Sequence, residues 1–162
     1  MVPVTDKGNN FISAKDKSIN KYLHQFADYY GFPVEVLYEY KYLVKKTDIL
    51  FVHKNWETNN PGLFMKIGRK FCIVDRNDRA QLQSFAVPII QNHFTKNIIE
   101  LSEQDDIKKY FIGGTIKKKY DSFGQKVIRI NGKIIGTAVS HKDGLKSQYP
   151  KTLRSHEIII PK

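Results

Sequence analysis

Cysteine is almost absent: the chain holds one, Cys72, in 162 residues. A lone thiol closes no internal disulfide, which excludes a disulfide-stapled scaffold and fits a reducing compartment. It lies in the apolar run Phe71-Cys72-Ile73-Val74 with no histidine or carboxylate in that run, the setting of a buried structural thiol rather than a nucleophile. No window approaches about 18 consecutive apolar residues, so no membrane-spanning helix and no membrane partner are expected. The opening residues lack the basic start and apolar run of a signal peptide, and a cytoplasmic location is expected. Neither a Gly-x-Gly-x-x-Gly turn behind a strand nor a Walker loop occurs. The five histidines, His24, His53, His93, His141 and His156, are scattered without metal-ligand spacing. Adjacent carboxylates occur at Asp105-Asp106, where they suit a helix start. No catalytic constellation can be assembled, so the chain is expected to be non-enzymatic, with no cofactor and no metal.

The other scarcity is of acid in the last third. Residues 1–107 carry 14 Lys and Arg against 13 Asp and Glu, whereas residues 108–162 carry 13 against 3. A field of one sign attracts a polyanion. The plain alternative is a solvated basic surface, but these cations alternate with glycine, β-branched and aromatic residues, which describes a folded basic face rather than a tail.

What is present reads as α+β. Hydrophobic content of 41% and aromatic content of 12% suffice for a core in one domain, or one with an accessory layer. Residues 1–15 read as a polar, flexible leader, 16–95 as a small helical and mixed N-terminal part, and 96–162 as the basic part. Asp16 or Ser18 caps a helix with Ile19, Tyr22, Leu23, Phe26, Ala27 and Tyr30 on one face, closed by Gly31. Pro33 opens a short second helix. Strands are expected over 41–44, 49–53, 63–67, 70–74 and 98–101, with a helix after the capping-box spacing Asp78 to Gln81. Ser102 begins a second capping box, for a helix to about Phe111 ended by Gly113-Gly114. Thereafter strands are expected over 115–120, 126–130, 133–140 and 156–160, with Asn131-Gly132 as a two-residue hairpin turn and Lys142-Asp143-Gly144 as another turn. A small, mostly antiparallel sheet with glycine corners tends to close into a barrel-like shape.

Two basic segments are candidates for binding. In a strand, Lys117 and Lys119 would share one face while Lys118 and Tyr120 share the other, placing cations beside a ring that can stack on a base. Lys-rich solubilising strands look the same. The second is Ile130 to Arg154, ending in Gly144-Leu-Lys-Ser-Gln-Tyr-Pro-Lys-Thr-Leu-Arg154. It resembles the C-terminal, PUA-like RNA-binding region of the Sun-type (RsmF-like) RNA cytosine-5 methyltransferases, in which a glycine-bearing hairpin precedes a basic Leu-Lys-Asn-x-Tyr-Pro-Lys-Gly-Leu-Arg run. Gly132, Gly136, Gly144, Leu145, Lys146, Tyr149, Pro150, Lys151, Leu153 and Arg154 occupy the matching places. Ser147 stands where asparagine is usual, which shortens the reach of that side chain, and Thr152 stands where glycine is usual. The likeness extends more weakly to Ile19–Tyr40, Leu101-Ser-Glu and Tyr110–Gly114, so it covers most of 18–160 while its specificity lies in 144–154.

The family's Rossmann-like cofactor domain and its cysteines in Pro-Cys and Thr-Cys contexts have no counterpart here. The resemblance therefore implies the RNA-binding part standing alone, a module for structured tRNA or rRNA in RNA modification or ribosome biogenesis, with a separate RNA-modifying enzyme as a candidate partner. On this reading phosphate contacts are expected from Lys146, Lys151 and Arg154, with Ser147 and Lys142 beside them and Tyr149 stacking on an unpaired base, while Lys117, Lys119 and Tyr120 remain the separate candidate contact read from their alternation. For Tyr149 and Leu153 the competing reading is that they anchor the segment to the core. Two rival functions stay open, a small RNA-modifying enzyme with an unrecognised site and an adaptor whose basic face meets an acidic protein.

Overall fold

The computed structural model describes residues 11–57 and 67–155. The expected strands at 63–67 and 156–160 lie wholly or almost wholly outside them; Ile67, at the edge, is in no strand. Residues 12–14, expected within the leader, belong to the fold: β1 (Ile12–Ser13) pairs with β2 (Tyr40–Lys45) and Ala14 is buried.

Helix α1 (Lys17–Tyr30) forms where apolar residues recur three and four apart, and every one of Ile19, Tyr22, Leu23, Phe26, Ala27 and Tyr30 is buried. Its cap is Asp16, which accepts the Ser18 N–H at 2.9 Å. Ser18 stands inside the helix and its hydroxyl donates to the same carboxylate. Gly31 ends the helix, and a 3-10 helix over Val34–Glu39 follows Pro33. The buried face of α1 lies on an antiparallel sheet ordered β1-β2-β3-β4-β5, with β3 at Asp48–His53, β4 at Arg69–Val74 and β5 at Ala80–Leu82. Aromatic rings fill that layer: Phe71 meets Phe26 edge-on at 5.5 Å, Tyr42 at 5.5 Å and Phe51 at 5.3 Å. Cys72 is fully buried there and burial pushes its thiol pKa up, so it is a poor nucleophile.

The helix expected from the spacing Asp78 to Gln81 is instead a turn and strand β5. Asp78 adopts φ 61, outside helical space, and its carboxylate is taken by the Lys21 ammonium at 2.5 Å and by the Tyr22 hydroxyl. A cap signal loses when its side chain is engaged by another element and the following residues pair with a neighbouring strand. A 3-10 helix appears further on, at Val87–His93, with Pro88 in its first turn.

The second sheet is ordered β6-β8-β9-β10-β7. Its strands are β6 (Ile98–Glu100), β7 (Thr115–Ile116), β8 (Gly124–Ile130), β9 (Lys133–His141) and β10 (Gly144–Ser147). β6 runs parallel to β8 and the other pairs are antiparallel. The turn Asn131-Gly132, at φ 50 and 74, joins Ile130 to Lys133 directly across the hairpin, as the sequence predicts. The sheet is open: β6 and β7 are its two edges and no barrel closes. β7 stops at Ile116, so residues 117–120 are not strand and the expected alternation of faces there does not exist.

Helix α2 (Gln104–Phe111) covers one face of this sheet, burying Ile107 and Tyr110 against Ile128, Ile130, Ala138 and Leu145. Glu103 rather than Ser102 precedes it, without a side-chain cap bond. From the other face Val127 and Ile134 enter the first core, which fuses the two sheets. Gln125 pins that junction: its amide carbonyl accepts from the Tyr30 hydroxyl at 2.8 Å and the Leu82 N–H at 3.1 Å, and its amide NH2 donates to the Leu82 carbonyl at 2.8 Å. Ser84 and Thr137 hydroxyls meet beside it at 2.9 Å. Among the described residues no helix is long and apolar enough to cross a membrane.

Candidate nucleic-acid interface

The segment 144–154 wraps the end of α2 and the edge strand β7. In β10 alternation turns Leu145 and Ser147 inward and leaves Lys146 as the strand's one exposed side chain. Lys146 faces Thr115 across the ladder, and its ammonium donates to the Gly113 carbonyl at 3.3 Å, just past the C-terminus of α2. A cation there complements the helix dipole. Gly144, at φ 128, leaves no space for a side chain because a Cβ would strike the Ile116 carbonyl. That close approach brings the turn carrying the exposed Lys142 against the backbone of Lys117.

Arg154 lies across Gly113. Its Nε donates to the Tyr149 carbonyl at 3.1 Å, and a Cβ on Gly113, already at φ 82, would collide with the guanidinium. Tyr149 sets its ring edge-on to Phe111 at 4.9 Å and tilted to Tyr110 at 5.7 Å. Ser147 is 5% exposed; its hydroxyl donates to the Tyr110 carbonyl at 2.6 Å and accepts the Tyr149 N–H at 3.1 Å. It holds the segment to α2 and presents nothing at the surface. Tyr149 is likewise an anchor, half-buried through its ring contacts. Leu153, the other residue of the anchor reading, is 52% exposed and anchors little. Lys151 is exposed at the start of a 3-10 turn over Lys151–Leu153.

Of the Lys117–Tyr120 segment, Lys117 and Lys119 are exposed, while Tyr120 packs partly on the second core and burial raises its hydroxyl pKa. Lys118, which the alternation would have paired with Tyr120, forms an ion pair with Asp106 on α2 that raises the ammonium pKa. The structure thus brings together Lys117, Lys142, Lys146 and Arg154 along the β10–β7 edge and the end of α2. Lys151 stands beyond them on the following turn, three residues before Arg154. None of these five has a carboxylate partner among the described residues.

Several surface features escaped the sequence reading. Phe123 is 68% exposed in the loop between β7 and β8, a few residues past the lysines. Lys108 and Lys109 lie in the last turn of α2, and Arg69 projects from β4 with no carboxylate partner among the described residues. The helical spacing that predicted α2 already contained Lys108 and Lys109; nothing local marked Phe123 or Arg69. No group of three or more His, Cys, Asp or Glu side chains converges on a metal-sized site among the described residues. No protein-family model matches the chain, and no curated protein matches it.

Proposed function

We propose that the chain is a non-enzymatic module for structured tRNA or rRNA, a PUA-like part acting in RNA modification or ribosome biogenesis beside a separate enzyme. One observation carries the reading: of the cations that the fold gathers at the β10–β7 edge, Lys117, Lys142 and Lys146 are exposed and Arg154 is half-buried, and none has a carboxylate partner among the described residues, while Asp106 is spent on Lys118. Uncompensated cations along a rigid edge supply phosphate contacts, which set affinity and orientation without reading sequence. The resemblance of 144–154 to the RNA-binding run of the Sun-type enzymes supports the same reading, and so does the use of Gly144, Ser147 and Tyr149 to hold the basic positions in place.

Equilibrium binding of the purified chain to bulk tRNA across a salt series tests it. With about five phosphates contacted, log affinity falls with log salt at a slope of about −3 to −4. A slope near zero refutes the reading. Stronger competition by an acidic protein or polyglutamate than by tRNA favours the adaptor alternative instead.

A further inference from the structure

Two cavities open on the surface, the first against β2–β4 and the second between the sheets, and they abut at Arg69 and Ile89, which line both. The first, of about 530 Å³, is walled by the aromatic side chains Tyr40, Phe51 and Trp56. The second, of about 630 Å³, runs between Phe85 on one side and Tyr149, Pro150 and Leu153 on the other. Each is of a size that receives a ligand the bulk of a nucleotide, roughly 300–1,000 Å³. Among the described residues no carboxylate lines either cavity, and Arg69 is the one permanently charged group in the linings. The residues that close the second cavity belong to the same short segment that carries Lys151 and Arg154.

We infer that this cleft receives unpaired nucleotides of the bound RNA, with bases in the two apolar chambers and the intervening phosphate on Arg69. The inference rests on the RNA-binding reading above and adds a single-stranded element to it. The chemistry fits such a ligand: largely apolar walls suit planar rings, every base offers a π-face to an aromatic wall, and an arginine between two chambers suits a negative charge between two rings. An uncharged apolar occupant would leave Arg69 unanswered, and an acidic one without rings would leave the aromatic walls unused. The cleft also gives Ile89 and Leu153, which are 43% and 52% exposed, a reason to face solvent.

The probes are an oligouridylate of about 16 nucleotides and a blunt RNA duplex of about 16 base pairs, the span of a typical duplex-binding footprint. Trp56 is the only tryptophan, so its fluorescence reports occupancy of the first chamber directly. The expected result is saturable quenching by oligouridylate and weaker or no quenching by the duplex. Arg69→Gln and Ile89→Asp should each weaken oligouridylate binding by about tenfold, the size of one lost stacked or paired contact, while duplex affinity moves by less than about twofold. Both positions are exposed, and an unchanged melting temperature shows that each variant is folded. If both RNAs bind, Trp56 stays silent and neither variant matters, the cleft inference is overturned and the basic face still stands as the RNA site. If neither RNA binds the parent protein, both readings fall.

Discussion

Replacing Lys117, Lys146 and Lys151 together by alanine separates phosphate binding from folding more cleanly than any other change. All three side chains are exposed and none has a carboxylate partner among the described residues. Arg154 is left in place because it also donates to the Tyr149 carbonyl and covers Gly113. If each lysine meets one phosphate, the slope of log affinity against log salt becomes less steep by about 2 to 3 units, at about 0.7 to 0.9 per contact. The same arithmetic gives about a fivefold loss per contact near 0.15 M salt, so about a hundredfold for the three, converging on the parent's affinity at about 1 M. The cost to stability is small. Lys117 and Lys151 count as ordinary exposed positions, within about 0.5 kcal/mol each. Lys146 adds a long bond to Gly113 and a favourable place at a helix C-terminus, worth about 0.3–1 kcal/mol. The sum lowers the melting temperature by a few degrees, about 2–4 °C per kcal/mol for a chain of this length. Filter binding or anisotropy at five salt concentrations, beside a thermal melt, makes the measurement. A folded triple variant with the parent's slope refutes the assignment of these residues.

Three further outcomes follow from the geometry. Ser147→Ala strips a buried hydroxyl from the Tyr110 carbonyl and the Tyr149 N–H and should cost about 1–3 kcal/mol in urea unfolding, whereas Leu153→Ala should stay within about 0.5 kcal/mol; equal losses at the two sites contradict the anchoring described. Gly113→Ala should destabilise by about 1–3 kcal/mol, since φ 82 strains any L side chain and the new methyl displaces Arg154; an unchanged melt counts against the Arg154 placement. Tyr30, Tyr42 and Tyr110 have hydroxyl pKa values raised by burial. A folded pKa above the unfolded one means stability is intact below about pH 10 and falls above it, by up to about 4 kcal/mol per pH unit for three protons held only by the folded state. Tyr42→Phe should remove about one third of that alkaline slope, and a pH titration of urea midpoints from 8 to 11 checks it.

The parts of the fold legible in the sequence are those whose signal is local and matches its tertiary use. The apolar face of α1 coincides with its buried face, and Asn131-Gly132 supplies the backbone conformation its turn requires. The failures share one cause. Asp78 has the residue types and spacing of a helix cap, yet Lys21 and Tyr22, more than fifty positions away, take its carboxylate, and the strand pair β4–β5 takes the residues after it. Likewise Lys117–Tyr120 alternates like a strand, but β10 offers β7 pairing only at Leu145 and Lys146, opposite Ile116 and Thr115. Long-range partners decide such segments, and a single sequence does not display them. The cleft was illegible for the same reason, since Arg69 and Tyr149 come together only when the two sheets are joined.

Within the segment 144–154, inward and outward residues have separate parts. Its residues fall into two sets by burial: Gly144, Leu145, Ser147 and Tyr149 contact β7, α2 or the second core, while Lys146 and Lys151 face outward. The inward set fixes the outward set, because Gly144 admits β10 against the Ile116 carbonyl and Ser147 bonds the segment to Tyr110. A shorter Ser147 in place of the asparagine of the resembling family therefore matters for the seating of the segment on α2 rather than for base reading, since the side chain never reaches the surface. An asparagine at 147 would have to place a larger amide where the hydroxyl now bonds the Tyr110 carbonyl and the Tyr149 N–H. Under the proposed RNA binding, specificity would come from shape, from where the cations are held relative to the cleft, and not from the polar residue inside the motif.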